Sequence, residues 1–220
     1  MVLFKIEVAC MSIGLANFQS PFRANQLIVN LLNGQTTNIN LYPGVYATLA
    51  QAGGGSGGTY GDFGWGRGSG GGSGAGFNGW LRLKRTLINH GLQTGVAVAS
   101  GKWSVNGNGS SINGILDFGG GEGGITNEAL AVGGTLTRHT NDEVFDFPKI
   151  NYLGNGYGTR VINDNKRYGA NSVVTNDGGG NPSENATNYG AGGGGYTGSG
   201  INGGAGGGGQ ITMTYVNQYI

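Results

Sequence analysis

The chain has 220 residues, of which 51 are glycine and one is cysteine, and its formal net charge is +1. A charge this close to zero argues against nucleic-acid binding, which requires clustered Lys and Arg to neutralise phosphates. The lone Cys10 excludes an intramolecular disulfide and a cysteine-based zinc site, and we expect it to be a small buried apolar residue. Because aromatic residues make up 10% of the chain and charged residues only another 10%, the composition favours a folded protein over a disordered one.

The N-terminal part is predicted to consist of strands. Apolar and polar residues alternate over positions 2–8, and Glu7 interrupts the apolar run that a secretory signal would need. No run reaches the roughly 18 apolar residues of a membrane helix. Leu27 to Leu32 is a short apolar run whose flanking Asn and Gly favour a strand. We expect residues 1–35 to form an attachment segment and residues 36–220 a glycine-rich β domain.

A β-hairpin is predicted over residues 37–50. Apolar and polar residues alternate on both sides of Pro43-Gly44. Proline supplies the first central torsion of a type II turn, and glycine supplies the positive φ needed at the second position. The second arm of this hairpin leads directly into the first glycine tract.

Strands and glycine tracts alternate along the rest of the chain. We predict strands over residues 78–87 and 95–105 and a turn at 106–111, followed by a third tract after Phe118. A last tract leads into a closing strand over residues 211–216, where apolar residues again alternate with threonines. No tract has glycine at every third position for long, which excludes collagen.

The glycine tracts allow two interpretations. In one they are flexible loops, because they are interrupted and aperiodic. In the other they form extended threefold helices of the polyglycine II type, whose free N–H and C=O groups pair between neighbouring tracts because no side chains hold them apart. A strand that directly follows the last tract favours order. The predicted fold class is mainly β, with packed glycine tracts and little α-helix.

Three segments of the sequence resemble a known family: LYPGVYATLAQAGGGSGG from Leu41, FGGGEGG from Phe118 and GAGGGGY from Gly190. In this order they are similar to the glycine-rich domain common in bacteriophage tail-fibre and other virion proteins. The resemblance covers residues 36–216, and it implies a polyglycine II sandwich whose distal loops bind a host receptor, in an oligomer that is trimeric as in fibres. Gln51-Ala52 departs from the usual Gly-Ala before the first tract, and residues 125–189 form a longer insertion than this family implies.

The candidate binding residues are aromatic side chains within glycine-rich segments, together with one arginine. Aromatic rings on loops offer a large rigid contact area and stack well on sugars or on a partner surface. An alternative is that these rings only cover the glycine tracts in place of a conventional core. The candidates are Tyr60, Phe63, Trp65, Arg67, Tyr152, Tyr157, Tyr189 and Tyr196.

No motif in the sequence predicts catalysis or a cofactor. The two histidines, His90 and His139, lie near no nucleophile motif, and matches to G-x-G-x-x-G are unavoidable with 51 glycines. The acidic residues at 142, 143 and 146 are interpreted as a solvated loop rather than a cation site, and the basic residues at 82, 84 and 85 as a solvated strand face. We therefore expect a non-enzymatic protein without cofactor or metal.

Two functions follow from these expectations. The first is a structural and binding component of a phage virion, such as a fibre, spike or decoration protein, which contacts its own copies, other virion proteins and a host surface protein or glycan. The second is an extracellular filament subunit whose N-terminal strand completes the sheet of a neighbouring copy. Both place the protein in a virion or on an extracellular surface, without membrane insertion.

Overall fold

The structure, a computed structural model, describes residues 21–58, 68–100, 104–125, 129–196 and 203–217. The strand pattern at residues 2–8 and the interpretation of Cys10 lie outside these ranges. The described residues form strands and no helix, so the predicted mainly β class is confirmed. The strands are β1 (Gln26–Leu32), β2 (Thr36–Leu41), β3 (Gly44–Gln51), β4 (Gly76–Leu83), β5 (Leu87–Gln93), β6 (Ser110–Ile112), β7 (Leu116–Phe118), β8 (Leu136–Arg138), β9 (Phe145–Gly154), β10 (Arg160–Ile162), β11 (Asn165–Tyr168) and β12 (Gln210–Asn217).

Two five-stranded antiparallel sheets carry most of these strands. The first sheet has the order β1-β12-β3-β4-β9, and the second has the order β2-β5-β6-β7-β8. β10 and β11 form a separate two-stranded hairpin. The C-terminal strand β12 lies between β1 and β3, so the two ends of the described chain meet in one sheet.

The two large sheets share one hydrophobic core. Tyr46, Phe77 and Leu81 from the first sheet belong to the same buried cluster as Leu92 and Phe118 from the second. Alternation explains this arrangement, because residues two apart on a strand face the same side of the sheet. In the closing strand, for example, the predicted apolar face is buried at residues 211, 213 and 215, which confirms that prediction.

The glycine tracts form a second packed unit, which we call the glycine lattice. It comprises residues 52–58, 68–75, 104–109, 119–125, 190–196 and 203–209. All of these segments except 190–196 run directly out of or into strands of the two sheets. Nearly all of the residues in the tracts 52–58, 68–75 and 190–196 are buried. Their backbone groups are paired between segments that are far apart in sequence, for example Gly54 N–H with Gly207 C=O at 2.8 Å and Gly71 N–H with Gly193 C=O at 2.9 Å.

Hydrogen bonding in the lattice repeats every three residues. Along the first tract, Gly53 and Ser56 donate to segment 104–109, whereas Gly54 and Gly57 donate to segment 203–209. The remaining three donors, at positions 52, 55 and 58, bond to segment 68–75. The first tract therefore donates to three segments, and its carbonyls accept from two more, 119–125 and 190–196. Side chains larger than Ala or Ser are mostly absent from its interior because the backbones lie in direct contact.

The hairpin prediction over residues 37–50 is wrong, although both of its strands exist. β2 pairs with β5 in the second sheet, whereas β3 pairs with β12 and β4 in the first. Pro43-Gly44 therefore connects two sheets instead of closing a turn within one. Gly44 has φ +147°, and the Tyr215 ring occupies the space where a Cβ at this position would lie.

Two further local predictions are wrong. The described part of residues 95–105 contains no strand beyond an isolated bridge between Val98 and Gly206. The turn predicted at 106–111 is instead a lattice segment that continues into β6, and the turn itself lies at 113–115. In both cases the backbone of small and polar residues pairs with distant tracts. Local sequence patterns cannot predict such pairing, because they contain no information about distant partners.

Candidate binding surface

Tyr152 and Tyr157 lie together at the end of β9. Their rings contact edge to face, with centroids 6.4 Å apart, and 42% of Tyr157 is exposed. The Tyr152 hydroxyl donates to the backbone carbonyl of Asn155, and partial burial raises the pKa of Tyr152 above its ordinary value. Two of the predicted aromatic residues are therefore brought into one surface feature.

The glycine lattice fixes the backbone of Tyr157. Buried Ser73 donates its N–H to the Tyr157 carbonyl at 2.8 Å, and the Ser73 hydroxyl accepts from the Tyr157 N–H at 2.7 Å. These bonds join residues 84 positions apart. An exposed aromatic ring on a rigid backbone loses little conformational entropy when it binds a partner.

Exposed apolar side chains that the sequence did not predict lie on the segments next to this tyrosine pair. Segments 129–134 and 155–159 lie side by side, joined by the bonds Thr159 N–H to Ala131 C=O and Gly156 N–H to Gly134 C=O. Val132 on the first segment is 63% exposed. The second segment continues into β10. We call this set the tyrosine–valine surface, and it comprises Leu130, Val132, Tyr152, Tyr157, Val161 and Ile162.

The other candidate residues divide into two groups. Tyr189 is 36% exposed, whereas Tyr196 is only 3% exposed and donates its N–H to the carbonyl of Gly58. Tyr196 thus packs within the lattice. This position agrees with the alternative interpretation, in which the aromatic rings only cover the glycine tracts. Tyr60, Phe63, Trp65 and Arg67 lie outside the described residues.

Residues at the ends of five lattice segments lie together at one end of the lattice. Gly58 donates to Ser69, and Ser69 donates to Ile125. Tyr196 bonds to Gly58, and Gly203 packs against Gly57 and Gly58. These segment ends lie at the end of the lattice opposite the residues that continue into the sheets.

Charged side chains in the described part of the chain form structural pairs. Asp146 accepts from the Arg82 Nε at 2.8 Å and contacts the Lys84 Nζ at 3.1 Å, and these two partners hold the pKa of Asp146 below its usual range. His139 and Asp117 are 2.7 Å apart and largely exposed. The sequence interpretation of a free solvated basic face at 82–85 is therefore incomplete, because two of its cations pair with β9.

Comparison with known proteins does not extend these observations. No protein-family model matches the chain, and no curated protein matches it significantly. Within the described ranges no group of three or more His, Cys, Asp or Glu residues is arranged to hold a metal ion. The same residues contain no helix long and apolar enough to cross a membrane.

Proposed function

We propose that this protein is a non-enzymatic structural and binding component of a phage virion, such as a fibre, spike or decoration protein. The observation that carries the proposal is the glycine lattice, in which each tract is bonded to several distant segments. The lattice lies between the sheet core and the lattice end farthest from the sheets. A lattice of this kind makes a stiff spacer, and we assign its tracts a polyglycine II-like conformation because their hydrogen bonds repeat every three residues.

In this proposal the distal end and the tyrosine–valine surface contact a host surface or neighbouring subunits. Gly58, Ser69 and Ile125 support this role, because they meet at the end of the lattice opposite the sheets, and the segment that carries Trp65 follows Gly58 in the sequence. The protein would act in a virion or on an extracellular surface as a homo-oligomer. Residues 1–35 would attach it to its own copies or to other virion proteins.

A second candidate, the self-assembling filament subunit, is favoured by the edges of the first sheet. β1 and β9 are the outer described strands of that sheet. β9 carries Pro148 and Lys149, residues that discourage strand addition at an edge, whereas β1 has neither a proline nor a charge. The alternating N-terminal residues 2–8 of another copy could add a strand there.

Light scattering followed by electron cryomicroscopy distinguishes the two functions. Discrete monomers or trimers are expected for the virion component, and long regular polymers that disappear on deletion of residues 1–17 would establish the filament subunit instead. For the virion component, bacterial-cell binding should fall in the variants Trp65→Ala and Tyr157→Ser. The control Ile88→Ser changes a side chain that is 69% exposed on β5 and should leave binding unchanged; equal binding by all variants would contradict the assigned surface.

A further inference from the structure

A groove of about 350 Å³ opens across β2, β5 and β6 of the second sheet. Most of its lining residues lie on the face turned away from the core, because they alternate along the strands with Leu41, Leu92 and Ile112, which are buried in the core cluster. None of the aromatic candidates lines it. The lining residues are Thr36, Thr37, Asn38, Gly91, Leu92, Gln93, Ser111 and Asn113.

Hydroxyl and amide side chains without partners surround this groove. Its lining includes six such side chains and no charged one. Elsewhere in the described chain comparable groups are used internally: the Asn33 Oδ1 accepts from the Ala97 N–H at 2.6 Å, and the Asn106 Oδ1 accepts from the Gly123 N–H at 2.8 Å. The six groove side chains make no hydrogen bond to any described residue. Five of them, all but Thr37, lie on the strand face opposite the buried Leu41 and Leu92, so their donors and acceptors are open to the groove.

Gly91 creates the depth of the groove. A glycine inside a strand weakens it and often marks close approach by another molecule. At Gly76 and Gly79 the chain itself fills the space of the missing side chain, since a Cβ would lie less than 3.0 Å from Val173 or from the Lys149 carbonyl, respectively. At Gly91 the nearest atom to a Cβ is the Asn38 Oδ1 at 3.3 Å, and no backbone atom lies close. Packing within the described chain therefore does not account for this glycine.

We propose that the groove binds a neutral oligosaccharide. Sugar hydroxyls both donate and accept hydrogen bonds, as do the hydroxyl and amide groups that line the groove. Acidic glycans and phosphates are disfavoured as ligands because no cationic side chain lines it. Since no aromatic ring contributes stacking, we expect dissociation constants on the order of 1 mM. This site is independent of the proposed virion function, because it requires only the isolated folded protein.

The test titrates maltohexaose, cellohexaose and chitohexaose into the full-length protein and follows binding by NMR, with a hyaluronan hexasaccharide as the acidic comparison. Gly91→Leu fills the groove, and Gln93→Ala removes one lining amide without adding bulk. Ile88→Ser, on the same strand but outside the lining, is the matched control.

We expect at least one neutral hexasaccharide to bind, with a dissociation constant raised about tenfold or more by Gly91→Leu, raised to a lesser extent by Gln93→Ala and unchanged by Ile88→Ser. Gln93→Ala keeps the test decisive if Gly91→Leu does not fold. The proposal is overturned if no neutral probe binds at about 10 mM, if the acidic probe binds more tightly than the neutral ones, or if Gln93→Ala and Ile88→Ser bind like the wild type.

Discussion

At the scale of single residues, Tyr46 shows how one polar group is accommodated in the core. The side chain is fully buried, yet its hydroxyl donates to the Tyr42 carbonyl at 2.7 Å and accepts from the Tyr42 N–H at 3.0 Å. Burial raises the pKa of this hydroxyl above its ordinary value. The ring also packs edge to face against Tyr215, with centroids 5.4 Å apart. One side chain thus secures the start of β3 at the crossing between the two sheets.

We therefore predict that Tyr46→Phe lowers the free energy of unfolding by about 1–3 kcal/mol, because two backbone groups of Tyr42 lose their partner. Urea denaturation monitored by circular dichroism measures the change. Tyr157→Phe is the control, since that ring is exposed and should lose almost nothing. Equal stability of Tyr46→Phe and the wild type would show that water replaces the hydroxyl without cost.

His90 gives a prediction about pH. Its Nε2 is buried and has no hydrogen-bond partner among the described residues, and burial lowers the pKa of His90 below its ordinary value. The neutral form is therefore favoured in the folded state, so stability is complete above the unfolded pKa of about 6.5 and falls as the pH drops below it.

The variant His90→Gln should not show this loss of stability. Its free energy of unfolding minus that of the wild type should therefore increase as the pH falls from about 7.5 to about 5.5. Thermal and urea unfolding across this range measure the difference. His139→Gln is the control, because that histidine is largely exposed beside Asp117, and it should keep the decline caused by His90. A parallel pH dependence in His90→Gln and the wild type would contradict the assignment.

At the scale of elements, the lattice segments depend on the direct contact of backbones. A Cβ on Gly54 would lie less than 3.0 Å from the carbonyl oxygen of Ala191, which belongs to a distant tract and cannot move as a side chain could. Alanine is accepted only where a Cβ fits, as at the fully buried positions 52 and 191. Glycine therefore occupies the positions where a Cβ would point at a neighbouring backbone, and alanine occupies positions where it would not.

Gly54→Ala should consequently destabilise the protein by more than about 2 kcal/mol, because the overpacking displaces a hydrogen-bonded neighbour. Gly91→Ala is the matched control, since its Cβ would approach only the side-chain Oδ1 of Asn38, at 3.3 Å, and it should change stability by less than about 1 kcal/mol. Denaturant titrations of both variants measure the contrast. A tolerated Gly54→Ala would mean that the first tract does not lie against Ala191.

At the scale of the whole molecule, the lattice and the sheets form one continuous hydrogen-bonded object. Tracts leave β3 and β7 and enter β4, β6 and β12 without intervening turns. Each tract is bonded to segments that are distant in sequence. Opening one tract therefore requires its neighbours to open too, and the lattice amides should be protected by global rather than local unfolding.

Hydrogen exchange tests this expectation directly. Amides of segments 52–58 and 190–196 should exchange as slowly as those of β3, within about tenfold, because both are released by the same cooperative transition. Peptide-resolved mass spectrometry provides the measurement, with the exposed turn at Asn163-Asp164 as a fast-exchanging reference. Fast exchange throughout the tracts would instead support the flexible-loop interpretation.

By itself, the sequence determined the elements whose signals are local. The alternation in the closing strand and the apolar run after Gln26 predicted β12 and β1, because strand periodicity needs no knowledge of partners. The strand patterns along the chain were sufficient to predict a mainly β protein. Among the site candidates, local context identified the exposed Tyr157 but could not separate it from the buried Tyr196, since both stand next to glycines.

Only the tertiary structure decided the partners. Strands β2 and β3 appear as a hairpin locally, but pairing with β5, β4 and β12 places them in different sheets. The same holds for the groove at Gly91, which arises from three strands that are separated in sequence. The physical reason is that main-chain hydrogen bonds and side-chain burial are completed between distant segments. The sequence near a residue therefore specifies the local conformation of that residue better than it specifies which distant residues it contacts.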